Sequence, residues 1–253
     1  MTQVTQIPGF LGDVGKIAVG ADLASITDRA LFLNGSQPTG VSDTTSGILS
    51  MWIEVDDVDA GAVRYFQVGN PSAPNFDVVE QNGDLAWKIG NGSSLTSTFP
   101  NGTIVLAEPA IYHILLAWDL DAGVAQAYLN DSLTGFSISI GPVAGDVDWT
   151  DTRWSVGTGT AGGDPMSGCI SEIYLTIAGT LDMTSTANRR LFSTFDGFPQ
   201  DLKSDGSGPT GSIPLLYFRG EGLAINVNSG SGGNFGVDAA IVDCDHLWKH
   251  EGR

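Results

Sequence analysis

Closely spaced carboxylates are the first residues in this chain that could do chemistry. The densest run is Glu54-Val55-Asp56-Asp57-Val58-Asp59. Glycoside hydrolysis needs two carboxyl groups flanking the scissile bond, about 5 to 5.5 Å apart in retaining enzymes. Glu54 and Asp59 are the pair this run offers, but it drifts into Ala60-Gly61, as a loop between strands would. Loop carboxylates are also hard oxygen ligands suited to calcium. Asp56, Asp57 and Asp59 form the leading candidate set, with Asp119 and Asp121, and Asp146, Asp148 and Asp151, as others. None has a diagnostic spacing, and solvated turns explain all three sets equally well. Calcium is thus the one cofactor the sequence suggests, and it does not require it.

Nucleophilic catalysis by Ser or Cys needs a base oriented by an acid. The histidines are His113, His246 and His250. His113 falls mid-strand and reads as a packed, hydrogen-bonded residue, and the other two lie near the C-terminus. No Gly-x-Ser-x-Gly elbow, phosphate-cradling loop or zinc-type His/Cys spacing occurs. Sugar binding uses an exposed aromatic platform with a few polar groups. Trp149, between Asp148 and Thr150, is the tryptophan that reads as lying in a loop. With Asp148 and Asp151 it makes the candidate glycan site; the competing reading is a plug at the rim of the fold.

The elements that must position these residues are strands. Of 253 residues, 42% are hydrophobic, 16% are charged and 34 are glycine, which fits many short strands joined by tight turns. Period-2 alternation is cleanest in Leu85-Ala86-Trp87-Lys88-Ile89 and Phe136-Ser137-Ile138-Ser139-Ile140. Denser runs, at 48–55, 63–68, 111–118 and 169–177, are apolar on both faces. They suit mid-sheet strands whose second face is buried by curvature or by a covering loop. Asn82-Gly83, Asn91-Gly92, Asn101-Gly102 and Asp121-Ala122-Gly123 punctuate the runs as turns. Ser185 to Phe192 predicts one short helix. The turn-rich stretch 195–213 reads as an ordered surface crossover, because strand-like runs resume after it at 214–218 and 223–227. The expected core includes Trp52, Phe66, Trp87, Leu115, Trp118, Tyr128, Trp154, Ile173 and Leu175.

With 11 basic against 29 acidic residues the net charge is −18. That disfavours nucleic acid and anionic membrane as partners, since both draw their affinity from Lys and Arg. No apolar stretch approaches the ~20 residues that span a bilayer, and residues 1–8 carry no basic and apolar signal pattern. Cys169 lies in a strand run; whether it is a free thiol or bridged to Cys244 stays open.

Three blocks, in order, resemble the laminin-G-like branch of the concanavalin A-like lectin/glucanase superfamily. They are Gly47 to Ile53; Tyr112 to Asp119 with Val124 to Asn130; and Trp154 to Gly157 with Ser167 to Tyr174. The second resembles a strand pair ending in Tyr-x-Asn-Gly, with Asp131 in place of the glycine. The third resembles a late strand pair closed by Gly-x-Ile-x-Glu. The resemblance implies an all-β, two-sheet antiparallel jelly-roll sandwich spanning 24–242, with an N-terminal arm at 1–23 and a C-terminal tail at 243–253. The glucanase branch carries Glu-x-Asp-x-x-Glu on one strand. Here Asp59 stands where the second Glu is expected, and Asp57 occupies a normally apolar position. Asn188 to Phe192, Gly197 to Leu202 and Asp205 to Gly211 resemble a stretch of lectin-like virion proteins of tailed bacteriophages. That likeness implies a non-enzymatic virion component: a head decoration, vertex spike or tail-associated protein. It would be made in the host cytoplasm, form a homo-oligomer, and partner other capsid or tail proteins and host-surface polysaccharide. The competing class is a glycan hydrolase using Glu54 and Asp59. Residues 2–23 are the expected docking arm.

Overall fold

A computed structural model describes residues 17–19, 31–55, 62–81, 84–90, 95–98, 106, 110–139, 145–161, 163–166, 168–218 and 227–236. The strands among them are β1 Ile17–Val19, β2 Leu31–Asn34, β3 Ser46–Val55, β4 Ala62–Asn70, β5 Ala73–Gln81, β6 Asp84–Gly90 and β7 Leu95–Thr98. They continue as β8 Ala110–Asp119, β9 Val124–Leu129, β10 Ser132–Ser139, β11 Arg153–Val156, β12 Gly168–Thr176 and β13 Leu216–Phe218. The single helix among the described residues, α1, covers Thr186–Arg189. Among the described residues all strand pairings are antiparallel. One sheet runs β1-β12-β3-β8-β9-β10 with β13 also on β12, and the other runs β2-β11-β4-β5-β6-β7. The two-sheet all-β sandwich expected from the sequence is therefore present, with the short helix in its C-terminal third.

Side chains alternating along the strands build the layer between the sheets. Leu49, Met51, Ile53 and Val55 of β3 meet Phe66, Val68, Phe76, Val78 and Trp87 of the second sheet in one buried cluster. Aromatic rings line its centre: Phe76 lies 5.9 Å from Trp87, 5.2 Å from Trp118 and 5.2 Å from Trp149. All nine residues expected in the core are buried. Gly47 is required by this packing, because a Cβ there would meet Trp118 at 2.4 Å and the Thr176 carbonyl at 2.5 Å.

The strands apolar on both faces have their second face covered. Ile48, Leu115, Ala117, Tyr128 and Tyr174, on the outer face of the seven-stranded sheet, form a separate buried cluster with Met183, Phe192 and Leu202. Those three belong to a strap, residues 181–210, that includes α1. The strap is tied down at its start by Met183 N donating to Gln126 Oε1 at 3.0 Å. Farther along, the Tyr174 and Thr210 hydroxyls lie 3.2 Å apart. Asn228 then staples the returning chain: its Oδ1 accepts from Tyr217 N at 2.7 Å and Gly230 N at 2.9 Å, and its Nδ2 donates to Leu215 O at 2.9 Å.

Three details differ from the sequence-based expectation, and a fourth, the β8–β9 pairing, agrees with it. Ile17–Val19, assigned to the arm at 1–23, pair with Ile170, Cys169 and Gly168 of β12 and so belong to the sheet. The late strand pair is consecutive but not hydrogen-bonded together: β11 joins β2 and β4 in one sheet, whereas β12 lies in the other. The helix is shorter than expected and Ser185 makes no side-chain cap, because residues 190–193 continue in turns whose amides bond back to Thr186, Asn188 and Arg189. Asp131 keeps the expected β8–β9 pairing intact and starts a tight turn into β10. Asn130 and Asp131 sit at φ +50° and +62°, a left-handed pair that Asn and Asp tolerate better than other side chains.

Candidate functional site

The loop that carries Trp149 was the expected glycan site, and here the structure requires a correction. Trp149 is fully buried, with ring centroids 6.0 Å from Trp118 and 5.7 Å from Trp154. An enclosed ring offers no face to a sugar, so Trp149 is the plug and not the platform. It is drawn inward because Thr44 bridges Val147 and because Asp43 Oδ1 accepts from Trp149 N at 3.0 Å. Asn75 Nδ2 also donates to Asp148 O at 2.7 Å. Asp148 Oδ1 accepts from Thr150 N and Oγ1 at 3.1 and 2.8 Å, which closes the loop on itself. Asp151 accepts from Arg153 Nε at 2.9 Å and Nη2 at 2.6 Å, a bidentate pair. Partial burial would raise the Asp151 carboxyl, but the Arg153 hydrogen bonds and charge carry it below its ordinary value. Asp148 and Asp151 thus stand on either side of Trp149 as loop-forming groups.

Asp56, Asp57 and Asp59 lie outside the described residues, as do Cys244 and the side chain of Cys169. Glu54, the described member of the hydrolase pair, is half-buried one residue before β3 ends at Val55. Asp121 Oδ2 accepts from Thr45 Oγ1 at 3.0 Å and Asp119 Oδ1 from Ala122 N at 2.9 Å, which makes this set a turn. Among the described residues no group of three or more His, Cys, Asp or Glu could hold a metal ion.

Buried titratable groups occur elsewhere. His113 Nε2 lies 2.9 Å from Ser50 Oγ, and its ring stacks on Trp52 at 4.5 Å and 13°. Burial lowers its pKa to about 3, against a smaller raising by the charge of Asp131. The imidazole is therefore neutral, and both members of the pair are sealed from solvent; the sequence reading of a packed, hydrogen-bonded residue holds. Tyr65 donates to Glu80 at 2.8 Å inside the sandwich. Burial first, then the Glu80 charge, pushes this phenol well above its usual value.

On the outer face of the six-stranded sheet, Ser155, Gln67, Asp77 and Lys88 stand opposite one another in a row across β11, β4, β5 and β6. Asp77 is fully buried, 3.4 Å from Arg64 Nε and 3.8 Å from Lys88 Nζ. Burial raises its pKa despite the opposing charges of Arg64 and Lys88. The loop after β11 covers this row: Thr160 N donates to Gln67 Oε1 at 2.7 Å, and Asp164 pairs with Arg64. The alternation of Phe76 and Val78 around Asp77 marks an outward carboxylate, but nothing in the local sequence marks the loop that buries it.

The surface holds one feature that pattern reading missed. Phe195 is 86% exposed, and the other exposed large apolar residues described are the aliphatic Val124, Ile213 and Val227. It forms the tip of a turn in the strap, beneath which Ser193 bridges Pro199. The Arg190 guanidinium lies 5.3 Å from its ring centroid. Arg190 is fixed by Asp131 Oδ2 at 2.6 Å, and Arg189 by Asp131 Oδ1 at 2.6 Å, with Arg189 also over the Tyr128 ring at 4.6 Å. Leaving a Phe side chain in water forgoes about 2 kcal/mol of burial, more than an exposed contact with Arg190 returns. A tight turn ordinarily takes small polar residues, and Phe195-Asp196-Gly197 departs from that at its first position.

No family model matches the chain, and no curated protein matches it. Solved structures do. A proposed carbohydrate-binding protein of Bacteroides ovatus is similar over 83% of this chain and 52% of its own, at 15% identity and a TM-score of 0.55. The chain thus spans about half the length of that protein. Mouse laminin α1 domains LG4-5 match over 72% of this chain and 46% of theirs, at 13% identity and a TM-score of 0.49. Tailspike protein 2 of the Escherichia coli O157:H7 bacteriophage CAB120 matches over 69% and 26%, at 14% identity and a TM-score of 0.44. The likeness to the Bacteroides ovatus protein shows the fold alone: a two-sheet antiparallel β-sandwich.

Proposed function

We propose that this chain is a non-catalytic structural protein of a tailed-phage particle, presenting a lectin-like sandwich to host-surface glycan. The observation that carries the reading is the internal engagement of the chemistry-bearing side chains named above among the described residues. His113 is sealed against Ser50 and Trp52, Asp77 is enclosed by Arg64 and Lys88, Glu80 accepts from Tyr65, and Asp148 and Asp151 close their own loop. A glycosidase of this class needs two carboxyls free to flank the scissile bond, and these described carboxyls are engaged instead. The sandwich likeness to a proposed carbohydrate-binding protein supports the glycan half. The phage half rests on the resemblance of residues 188–211, which here form most of the strap.

On this reading the protein resides in the virion as a head decoration, vertex spike or tail-associated component, in several copies arranged by closed symmetry. The test has two arms. Incubation of the purified chain with β-glucans and bacterial surface polysaccharides should give no turnover; turnover that vanishes in Glu54→Gln overturns the reading in favour of a hydrolase. Quantitative mass spectrometry of purified particles should find the chain in fixed stoichiometry with the coat protein, and its absence from particles removes the virion role.

A further inference from the structure

We propose that Phe195 is the stacking platform of a saccharide-binding subsite, and that its ligand is a neutral or amino-sugar glycan rather than an anionic one. This rests on the glycan half of the reading above and assigns it a place on the molecule.

The turn that carries Phe195 is built to hold its tip still. Thr194 N donates to Phe198 O at 2.7 Å, Gly197 N to Thr194 O at 3.1 Å, and Phe198 N to Thr194 Oγ1 at 3.0 Å. Arg190 Nη1 also donates to Thr194 O, and Gly197 takes φ +78° to close the turn. The ring is thus presented on a fixed backbone and braced on one side by a guanidinium that Asp131 itself pins. At 86% exposure its other face is open to solvent. A hexose ring lays the C–H bonds of one face on such an aromatic plane, and the rigidity of the mount limits the ordering cost of binding.

Charge selects the class of sugar. Both guanidiniums beside the ring are already committed: Arg190 to Asp131 and Thr194, and Arg189 to Asp131, Met183 O and Thr184 O. These bonds hold both groups in place, and Asp131 offsets one of the two positive charges. The exposed groups nearest along the chain are Asp196 and Asp201, on a molecule of net charge −18. Carboxylates accept from sugar hydroxyls and pair with an ammonium, and they repel polyanions. The residues that follow Phe195 in the turn, Asp196 and Gly197, are not apolar, so the tip lacks the contiguous apolar patch that marks a protein or membrane contact.

The test applies the full chain, with Phe195→Ala and Phe195→Trp, to an array of neutral, amino-sugar and anionic bacterial glycans displayed densely enough for multivalent capture. Hits are then titrated by NMR, and thermal melting serves as a fold control. The native chain should capture neutral or amino-sugar glycans. Phe195→Ala should lose about tenfold or more in affinity with an unchanged melting temperature, and Phe195→Trp should bind at least as well as native. Equal binding by native and Phe195→Ala overturns this assignment and leaves the glycan reading standing, as does capture confined to anionic glycans. A native chain blank across the array overturns the glycan reading and this subsite with it.

Discussion

Over the seven-stranded sheet the covering residues are Met183, Phe192 and Leu202, seated on Ile48, Leu115, Tyr128 and Tyr174. Over the six-stranded sheet they are Thr160 and Asp164, seated on Gln67 and Arg64, with Asp77 enclosed beneath. Both covers exclude water from an outer face, but by different physics. The first is held by apolar area, which responds weakly to pH and salt. The second is held by hydrogen bonds and ion pairs whose net worth is small because burial opposes them.

The largest effect expected from breaking this contrast is at Phe192. Replacing its buried ring with Ala should cost about 3–5 kcal/mol, measured by urea denaturation and equal at pH 5 and pH 8. A loss under 1 kcal/mol would show the strap to be a loose cover. Next comes acid sensitivity on the outer face of the same seven-stranded sheet. The pKa of His113 falls from its ordinary 6.5 to about 3 on folding, so the unfolded chain takes up the proton first. Its contribution is complete above pH 6.5 and is lost as pH falls toward 3, a change of a few kcal/mol. His113→Gln should flatten that limb of a stability–pH curve, and an unaltered limb would assign it to other groups.

A smaller loss, about 2 kcal/mol, is expected for Asp131→Ala, which leaves Arg189 and Arg190 part-buried without their shared partner. Asp131→Gly should recover some of this, since glycine takes φ +62° without strain. Thermal melts of the two variants side by side check it. The smallest effect is Asp77→Asn. Because burial raises the folded pKa of Asp77 above 3.8, the native chain binds its proton more tightly than the unfolded chain does. Its contribution is present below pH 3.8 and is lost as pH rises through the raised value. The variant should lack that decline and differ from native by no more than about 1 kcal/mol at neutral pH. A loss of several kcal/mol there would mean that the Arg64 and Lys88 pairing outweighs burial.

The apolar half of this contrast was legible in the sequence and the polar half was not. Runs such as Ile48 to Val55 are apolar at consecutive positions, which requires something on both faces of the strand, and the strap supplies it. Asp77 sits between Phe76 and Val78, so alternation assigns it to solvent; only the three-dimensional path of residues 157–164 encloses it. Trp149 misled for the converse reason: flanked by Asp148 and Thr150 it resembles a loop residue, and the long-range contacts with Asp43 and Asn75 that turn it inward leave no local pattern. An adsorption test with Trp149→Ala would therefore confound lost binding with lost packing. Phe195 escaped notice because an aromatic beside a turn is ordinarily a plug. The substitution at Asp131 could be read only as a departure from Gly, and its reason lies 58 and 59 residues away at Arg189 and Arg190.

The edge of β12 carries a consequence for synthesis. Its first residues pair with Ile17–Val19, and its later ones, past the irregular register between Ser171 and Tyr174, pair with Leu216–Phe218. During translation Ile17–Val19 emerge first, yet they have no partner until Gly168–Ile170 leave the ribosome, and the same edge is finished only when β13 follows. Closure of this edge therefore depends on contacts of long sequence separation, which form slowly. Until then the nascent chain exposes an unpaired strand edge, the state in which edge-to-edge pairing with another chain competes with self-closure.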